Sequence, residues 1–569
     1  MHTSQPQTLH LKRFLKTIFT VLMTTGVMSA AASSPLNQST DSVTKMSKEQ
    51  YLAKRSVLIS KYSVQDKVFS ALQGQVKPND LTSSEHWKWR IDQYLYGQYP
   101  EFQSIYDAFT QGKTFQQIYN LPAEDLSSKN ELSAKNPPAL PKGYFTDNLQ
   151  GNPHRGDHYV SNGKVHITYQ GDLTDPYITS FDLKTHNWDG PYKAAESTLS
   201  KGGRKIDSHG RPIIEQDSKG HFHIVYGGHG GEREDGLNPL SIDTPHAGGR
   251  MLHAVSEKPN DISKFVLVND ISPFASYTKS FTMANGDIYL FTRAGTHKSP
   301  WVFYKMKSSE QHFQAPVIIT WPTPQKDDPI KVDTFYITPL KISDTEIAIS
   351  SLWHECNFLE YHDKTTYSRI NAYYMKLDTT NDTFYNAQNE KLSLPITLAS
   401  ANKHTLAFDS TQREETPFGT VPLILENKTP ALAYEARTKD YREWRMVALK
   451  NGQWQHSLPM PGTEQRIVRD HKKREIKQVQ SLEVIDHSSA VVTYKNKQGH
   501  TVFATAKRVS DTQQIWQLDK THLSLANSRI QIEAVRDNTN KTVAVVLNVK
   551  KGTAQRLYLW HDGQFHSKY

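Results

Sequence analysis

The stretch Ser161-Asn162-Gly163-Lys164-Val165-His166-Ile167-Thr168-Tyr169 is a tight turn feeding an alternating, β-branched run. Asn-Gly tolerates the positive φ values that two-residue hairpins need, and Val, Ile, Thr and Tyr suit a pleated, half-buried surface. The same unit returns along the chain. Asp217-Ser218-Lys219-Gly220 precedes His221-Phe222-His223-Ile224-Val225-Tyr226, and Ala284-Asn285-Gly286-Asp287 precedes Ile288-Tyr289-Leu290-Phe291. Weaker copies are Ser343-Asp344 before Ile347-Ala348-Ile349 and Asn427-Lys428 before Ala431-Leu432-Ala433-Tyr434. Two more are Asp486-His487 before Val491-Val492-Thr493-Tyr494 and Asp537-Asn538 before Val543-Ala544-Val545-Val546. Most copies lie roughly fifty to seventy residues apart, with one longer gap, which is close to a four-stranded propeller blade with its loops. A β-helix or paired sandwiches also supply many short strands, but neither explains one marker turn at a long period. The expected fold is all-β, a seven-bladed β-propeller over residues 143–569, preceded by a small α-helical N-terminal segment.

Upstream of the repeats the pattern is different. Ser47-Lys48-Glu49-Gln50 reads as a capping box, and Tyr51, Leu52, Val57, Leu58 and Tyr62 follow at roughly helical spacing. Further helical patterns run over 85–96 and 101–109, and a Pro-rich linker over 136–141 ends this segment of residues 33–142. Its first part, 33–44, is Ser/Thr-rich and expected to be disordered. Residues 1–32 read as a signal peptide: Lys12, Arg13 and Lys16, an apolar core from Ile18 to Met28, then Ser29-Ala30-Ala31-Ala32. The core is too short to anchor the chain across a bilayer, and the cleavage region holds no Cys for lipid attachment. The mature protein is therefore expected to be secreted, periplasmic or extracellular, and free of the membrane. Its lone Cys356 excludes an internal disulfide, so stability must come from the core.

The 569 residues carry a net charge of +9, with 67 Lys and Arg against 58 Asp and Glu, which favours a polyanionic partner. No run of five or six basic residues occurs, which argues against nucleic acid. Four stretches flanking the marker strands carry chemistry. Asp207-Ser208-His209-Gly210-Arg211-Pro212 is a bounded turn with a central His, and Tyr226-Gly227-Gly228-His229-Gly230-Gly231 surrounds another His with four glycines. Ser276-Tyr277-Thr278-Lys279 offers a Tyr, and Phe291-Thr292-Arg293-Ala294-Gly295 ends a marker strand in an Arg. For each residue alone the plain alternative is a surface His, a strand Tyr or a solvated Arg.

Together these groups suit elimination from a uronate. Arg can neutralise the sugar carboxylate with a planar fork, while His and Tyr supply a base for the C5 proton and an acid for the leaving O4. A glycoside hydrolase instead needs two carboxylates flanking the bond. These stretches lack an obvious pair, although Glu215 and Glu232 lie near. From Gly143 to Tyr336 the chain resembles the propeller-fold ulvan lyases, on His209 and His229 some twenty residues apart, Tyr277 with Arg293 on the next blade, and Tyr336 one blade later. The resemblance implies cleavage of an acidic sulfated polysaccharide, ulvan, leaving a 4,5-unsaturated uronate. It implies Arg293 as carboxylate neutraliser, Tyr277 as general base or acid, and His209 and His229 in proton transfer or substrate binding. It also implies Tyr336 in the substrate canyon, and the elimination chemistry itself is expected to need no cofactor.

Trp353-His354-Glu355-Cys356-Asn357 and Tyr361-His362-Asp363 place three candidate zinc ligands, His354, Cys356 and His362, in one segment, and His404 can complete a tetrahedron. The resembling families carry a structural metal, so the expectation is a structural Zn2+; the alternative is a buried Cys among surface histidines. Two other functions compete with the lyase. A sialidase-like propeller hydrolase normally shows Asp-box turns ending in Thr-Trp, which the marker turns lack. A carbohydrate-binding propeller explains the charge but gives His209, His229, Tyr277 and Arg293 no joint purpose.

Overall fold

The seven marker strands fall in seven different sheets, each as the second of four strands joined in an antiparallel meander. The computed structural model describes residues 46–569 apart from 58–99, 111–139, 150–156, 200–206, 241–247, 325–331, 356–367, 412–415, 438–441, 458–466 and 511–514, and a few scattered positions. The signal-peptide reading of 1–32, the disordered reading of 33–44 and the helix expected at 85–96 lie outside the described residues. Among the described residues the strands gather in seven sheets, spanning 157–193, 213–268, 276–320, 323–408, 416–457, 467–525 and 528–566. Each is a meander of neighbouring strands. The fourth adds a short helix, Leu398–His404, and two short strands, Thr323–Pro324 and Leu406–Phe408, and the sixth adds Ile467–Arg469 in parallel at its edge.

Sheets succeed one another around an axis because each second strand is apolar on both faces. Phe222–Gly227 and Ile288–Arg293 are buried along their whole length. Buried clusters fill the wedges between sheets: Ile178 with Ile224, Val225 with Leu290, Phe303 with Ile349, and Leu352 with Leu432. The innermost strand of the last sheet, Ser528–Arg536, touches that of the first, Asp157–Ser161, as expected of a propeller.

A strap of residues 140–146 finishes the ring. The Phe145 N–H donates to Leu557 O at 2.9 Å, and the Leu557 N–H donates to Thr146 O at 3.2 Å. Arg556 Nη1 donates to Leu140 O at 2.9 Å, and the Tyr558 hydroxyl donates to Pro141 O at 2.8 Å. Phe145 is buried among Val165 and Ile167 of the first sheet and Leu557 and Leu559 of the last. Leu140 and Pro141, at the end of the expected Pro-rich linker, are thus held by the last sheet.

The N-terminal helical reading holds where it is described. The Gln50 N–H donates to Ser47 Oγ at 3.2 Å while Gln50 Oε1 accepts from the Ser47 N–H at 3.0 Å, a reciprocal cap. The third helical pattern is the helix Pro100–Thr110, and Tyr51 stacks on its Phe109 at 4.2 Å. Among the described residues no helix is long and apolar enough to cross a membrane.

Candidate active site

Two loops of the second sheet meet because glycine lets them. A Cβ on Gly210 would lie 1.6 Å from Gly227 O, and one on Gly228 would lie 2.8 Å from Ala275 O, so neither position accepts a side chain. That approach stacks the His209 and His229 rings at 3.8 Å and 6°.

Beneath them sits Asp207, which caps the short turn Ser208–Gly210 by accepting the His209 N–H at 2.9 Å. Its Oδ1 also bonds His209 Nδ1, and its Oδ2 bonds His229 Nδ1 at 2.9 Å. Burial works against the Asp207 charge, but the bonds from His209 and His229 outweigh it and hold the carboxyl far below the usual range. An ionised carboxylate only accepts, so each Nδ1 carries a proton and turns Nε2 away from Asp207. Burial lowers the pKa of His229 against the Asp207 bond, with His209 and Arg293 pushing the same way, so His229 is neutral at pH 7.

The third sheet supplies Tyr277 and Arg293 through a bulge. Pairing between Ser276–Thr282 and Ile288–Arg293 slips between Phe291 and Arg293, leaving Tyr277 in the left-handed region at φ 59°. Such a bulge re-aims a side chain at the cost of backbone strain. Here it brings the Tyr277 ring edge-on to His209 at 4.6 Å and under the Arg293 guanidinium at 4.7 Å. Burial and the neighbouring Tyr336 push the Tyr277 phenol up to about 12, against the pull of Arg293 and Arg369. Tyr277 is thus a protonated hydroxyl at neutral pH, and its 37 % exposure leaves it open to a ligand.

Arg293 is only 2 % exposed, yet its Nε and Nη1 have no hydrogen-bond partner. A buried cation with open donors is costly unless an anion arrives to meet it. Its flat faces are covered by Tyr277 and by Tyr336, whose ring lies 5.4 Å from Cζ. From there a ladder continues across two sheets. Arg369 lies 4.6 Å over Tyr336 and 4.2 Å over Phe418, and Arg437 lies 3.1 Å over Phe418 while paired to Glu435 at 2.9 Å.

The structure therefore brings together all five residues singled out for elimination and binding: His209, His229, Tyr277, Arg293 and Tyr336. Sequence reasoning quoted Asp207 without giving it a role, and missed Arg369, Phe418 and Arg437. Of the carboxylates considered for hydrolysis, Glu215 accepts from Thr282, and Glu232 lies 3.9 Å from Arg250.

The zinc reading fares differently. Cys356 and His362 lie outside the described residues. His354 is buried edge-on to Tyr336 at 5.3 Å, whereas His404 is exposed at the end of the helix Leu398–His404, lining a cavity with Tyr374 and Trp454. Among the described residues neither belongs to a cluster of three metal-binding side chains.

No family model matches the chain. It is 37 % identical over 308 residues to the Ulvan Lyase-PL25 of Pseudoalteromonas sp. (strain PLSV), covering 52 % of this chain and 62 % of that protein. It is 36 % identical over 274 residues to an ulvan lyase of Alteromonas sp. (strain LOR), covering 46 % and 56 %. The chain thus spans less than two thirds of the length of either relative. Among solved structures, a polysaccharide lyase PL25 ulvan lyase bound to -[GlcA(1-4)Rha3S]- matches with a TM-score of 0.59 at 28 % identity, covering 75 % of this chain and 97 % of that one.

Proposed function

We propose that this chain is a secreted polysaccharide lyase that cleaves ulvan by β-elimination at its uronic acid. The observation that carries this reading is Arg293, a buried guanidinium with two open donors beside an oriented His pair and a protonated Tyr. The uronate carboxylate enters as the anion that Arg293 lacks, and negative charge building on it during C5 deprotonation is stabilised in place. His209 Nε2 takes the C5 proton, with Asp207 supporting the imidazolium from behind. The C5–H electron pair becomes the C4–C5 double bond, the C4–O4 bond breaks, and O4 takes the Tyr277 proton. The new non-reducing end is a 4,5-unsaturated uronate, and no metal or organic cofactor enters these steps. His229, neutral and stacked on His209, binds substrate through Nε2. Tyr336 and the Arg369–Phe418–Arg437 ladder form the adjoining subsites, and Arg369 suits the sulfate of the neighbouring rhamnose. The ulvan lyase relatives, one solved with -[GlcA(1-4)Rha3S]-, support this substrate class.

The test is ultraviolet absorbance during incubation with ulvan, with Arg293→Ala as control. Rising absorbance from the conjugated double bond, lost in the control, supports the reading. New reducing ends without absorbance mean hydrolysis and overturn it.

A further inference from the structure

The face opposite the candidate active site carries a second histidine cluster. Strands alternate in direction within each sheet, so the turn after each third strand lies on the face away from His209 and Tyr277. Two such turns, from the first and last sheets, meet at the seam where the ring closes. The first, 183–187, presents His186, and the last, 562–563, follows His561 and precedes His566. The His186 ring is 5.7 Å from that of His561 and 4.5 Å from that of His566. His186, His561 and Asp562 each offer a ligand atom, all within 4.8 Å of one another.

The contacts of His561 suit a cation at Nε2. Its Nδ1 faces Val543 O at 2.7 Å, so that nitrogen carries the proton and the neutral ring leaves Nε2 as a lone pair. Yet among the described residues Nε2 faces two acceptors, Leu183 O at 3.2 Å and Asp562 Oδ2 at 3.2 Å. A lone pair, a carbonyl and a carboxylate converging without a donor repel one another unless a proton or a metal ion lies between them. An Nδ1–H donated to a backbone carbonyl is also how proteins orient a histidine that ligates metal through Nε2. His186 adds a separate observation. It sits at φ 60° in its turn, a conformation easier for Gly or Asn, so a side chain is kept where the backbone disfavours one.

We propose that His186, His561 and Asp562 bind a divalent transition metal ion of the Zn2+ class, with water completing the tetrahedron, and that the ion staples the first sheet to the last. Tetrahedral ligands at about 2.0–2.2 Å from zinc lie about 3.3–3.6 Å apart. His561 Nε2 and Asp562 Oδ2 already lie 3.2 Å apart, so the required contraction falls on the exposed His186 at its turn.

Chelator-stripped protein is titrated with Zn2+ by calorimetry and equilibrium dialysis, beside His186→Asn and His561→Gln variants. Asn tolerates the positive φ, so the first variant removes the ligand and keeps the turn. The parent is expected to bind one more equivalent than either variant, whatever binds elsewhere. Zn2+ should raise the thermal midpoint of the parent by more than that of His186→Asn, with polysaccharide cleavage equal in both. Equal stoichiometry in parent and His186→Asn overturns the proposal. So does an equal Zn2+ effect on the two midpoints, which would assign the convergence on Nε2 to a protonated His561. If His561→Gln does not fold, His186→Asn alone decides.

Discussion

Replacing Asp207 with Asn tests whether the two histidines act through the carboxylate beneath them. Asp207 uses Oδ1 for the His209 N–H and Nδ1, and Oδ2 for His229 Nδ1. An amide of the same shape keeps one acceptor oxygen. The His209 backbone N–H holds that oxygen, so the NH2 group faces His229 and forces its Nδ1 to accept. His229 then carries its proton on Nε2 and no longer presents a lone pair to substrate. His209 keeps its tautomer but loses the negative charge that supports its imidazolium. Bonds to charged groups contribute about 1.5–3 kcal/mol and neutral ones about 0.5–1.5 kcal/mol. Two bonds downgraded by about 1–1.5 kcal/mol each give about 2–3 kcal/mol, or roughly 30- to 150-fold in kcat. The assay is initial rate of absorbance increase at saturating ulvan, with the thermal midpoint as a check on folding. A kcat within threefold of the parent would refute the reasoning, because the histidines would then be oriented by something other than Asp207.

Four further outcomes follow from the site and its surroundings. Tyr277→Phe should lower kcat about 10²- to 10⁴-fold with little change in binding, as expected for loss of a general acid, and equal turnover would remove Tyr277 from the chemistry. The parent's rate should show no alkaline loss attributable to Tyr277 until the pH nears its pKa of about 12, which a pH–rate profile checks. Arg369→Ala should raise KM about tenfold, about 1.4 kcal/mol, while kcat stays within threefold, and the penalty should vanish on desulfated ulvan. Glu215→Gln should stabilise the protein at alkaline but not acidic pH. Burial raises the Glu215 pKa from 4.5 to about 7, partly offset by the Thr282 bond, so folded protein holds the proton more tightly than unfolded chain. Stability therefore falls between pH 4.5 and 7, by about 3 kcal/mol in all, which the amide avoids. Thermal midpoints at pH 8 should differ by about 3 °C and at pH 4 not at all; equal midpoints at pH 8 would show that Glu215 is not strained by burial.

The architecture was legible in the sequence because its signal is local. Asn162-Gly163 or Asp217 with Gly220 marks a turn within four residues, and the strand behind it must be apolar on both faces to fill a wedge between sheets. The candidate catalytic histidines were legible for a related reason: only loops pressed together need glycines on both sides of His229. Asp207 was on the page but unread, since its bond to His229 crosses 22 positions and two strands. Arg369 and Arg437 had no such punctuation. Their meaning lies in Tyr336 and Phe418, contributed by other strands, and no spacing announces a ladder built across sheets. Of the expected zinc set, His354 packs edge-on to Tyr336 and His404 ends an exposed helix, while Cys356 and His362 lie outside the described residues.

The strap of residues 140–146 also sets the order of events at the ribosome. Leu140 is made early, and its partner Arg556 comes 416 residues later. At about 5–20 residues per second the strap waits roughly 20–80 s for the strand it must join. Throughout that interval Phe145 and the first sheet's Val165 and Ile167 have no last sheet to cover them. Completion of the ring is thus postponed until the strand holding Arg556, Leu557 and Leu559 has been made, and until then the nascent chain carries an apolar flank on its first sheet.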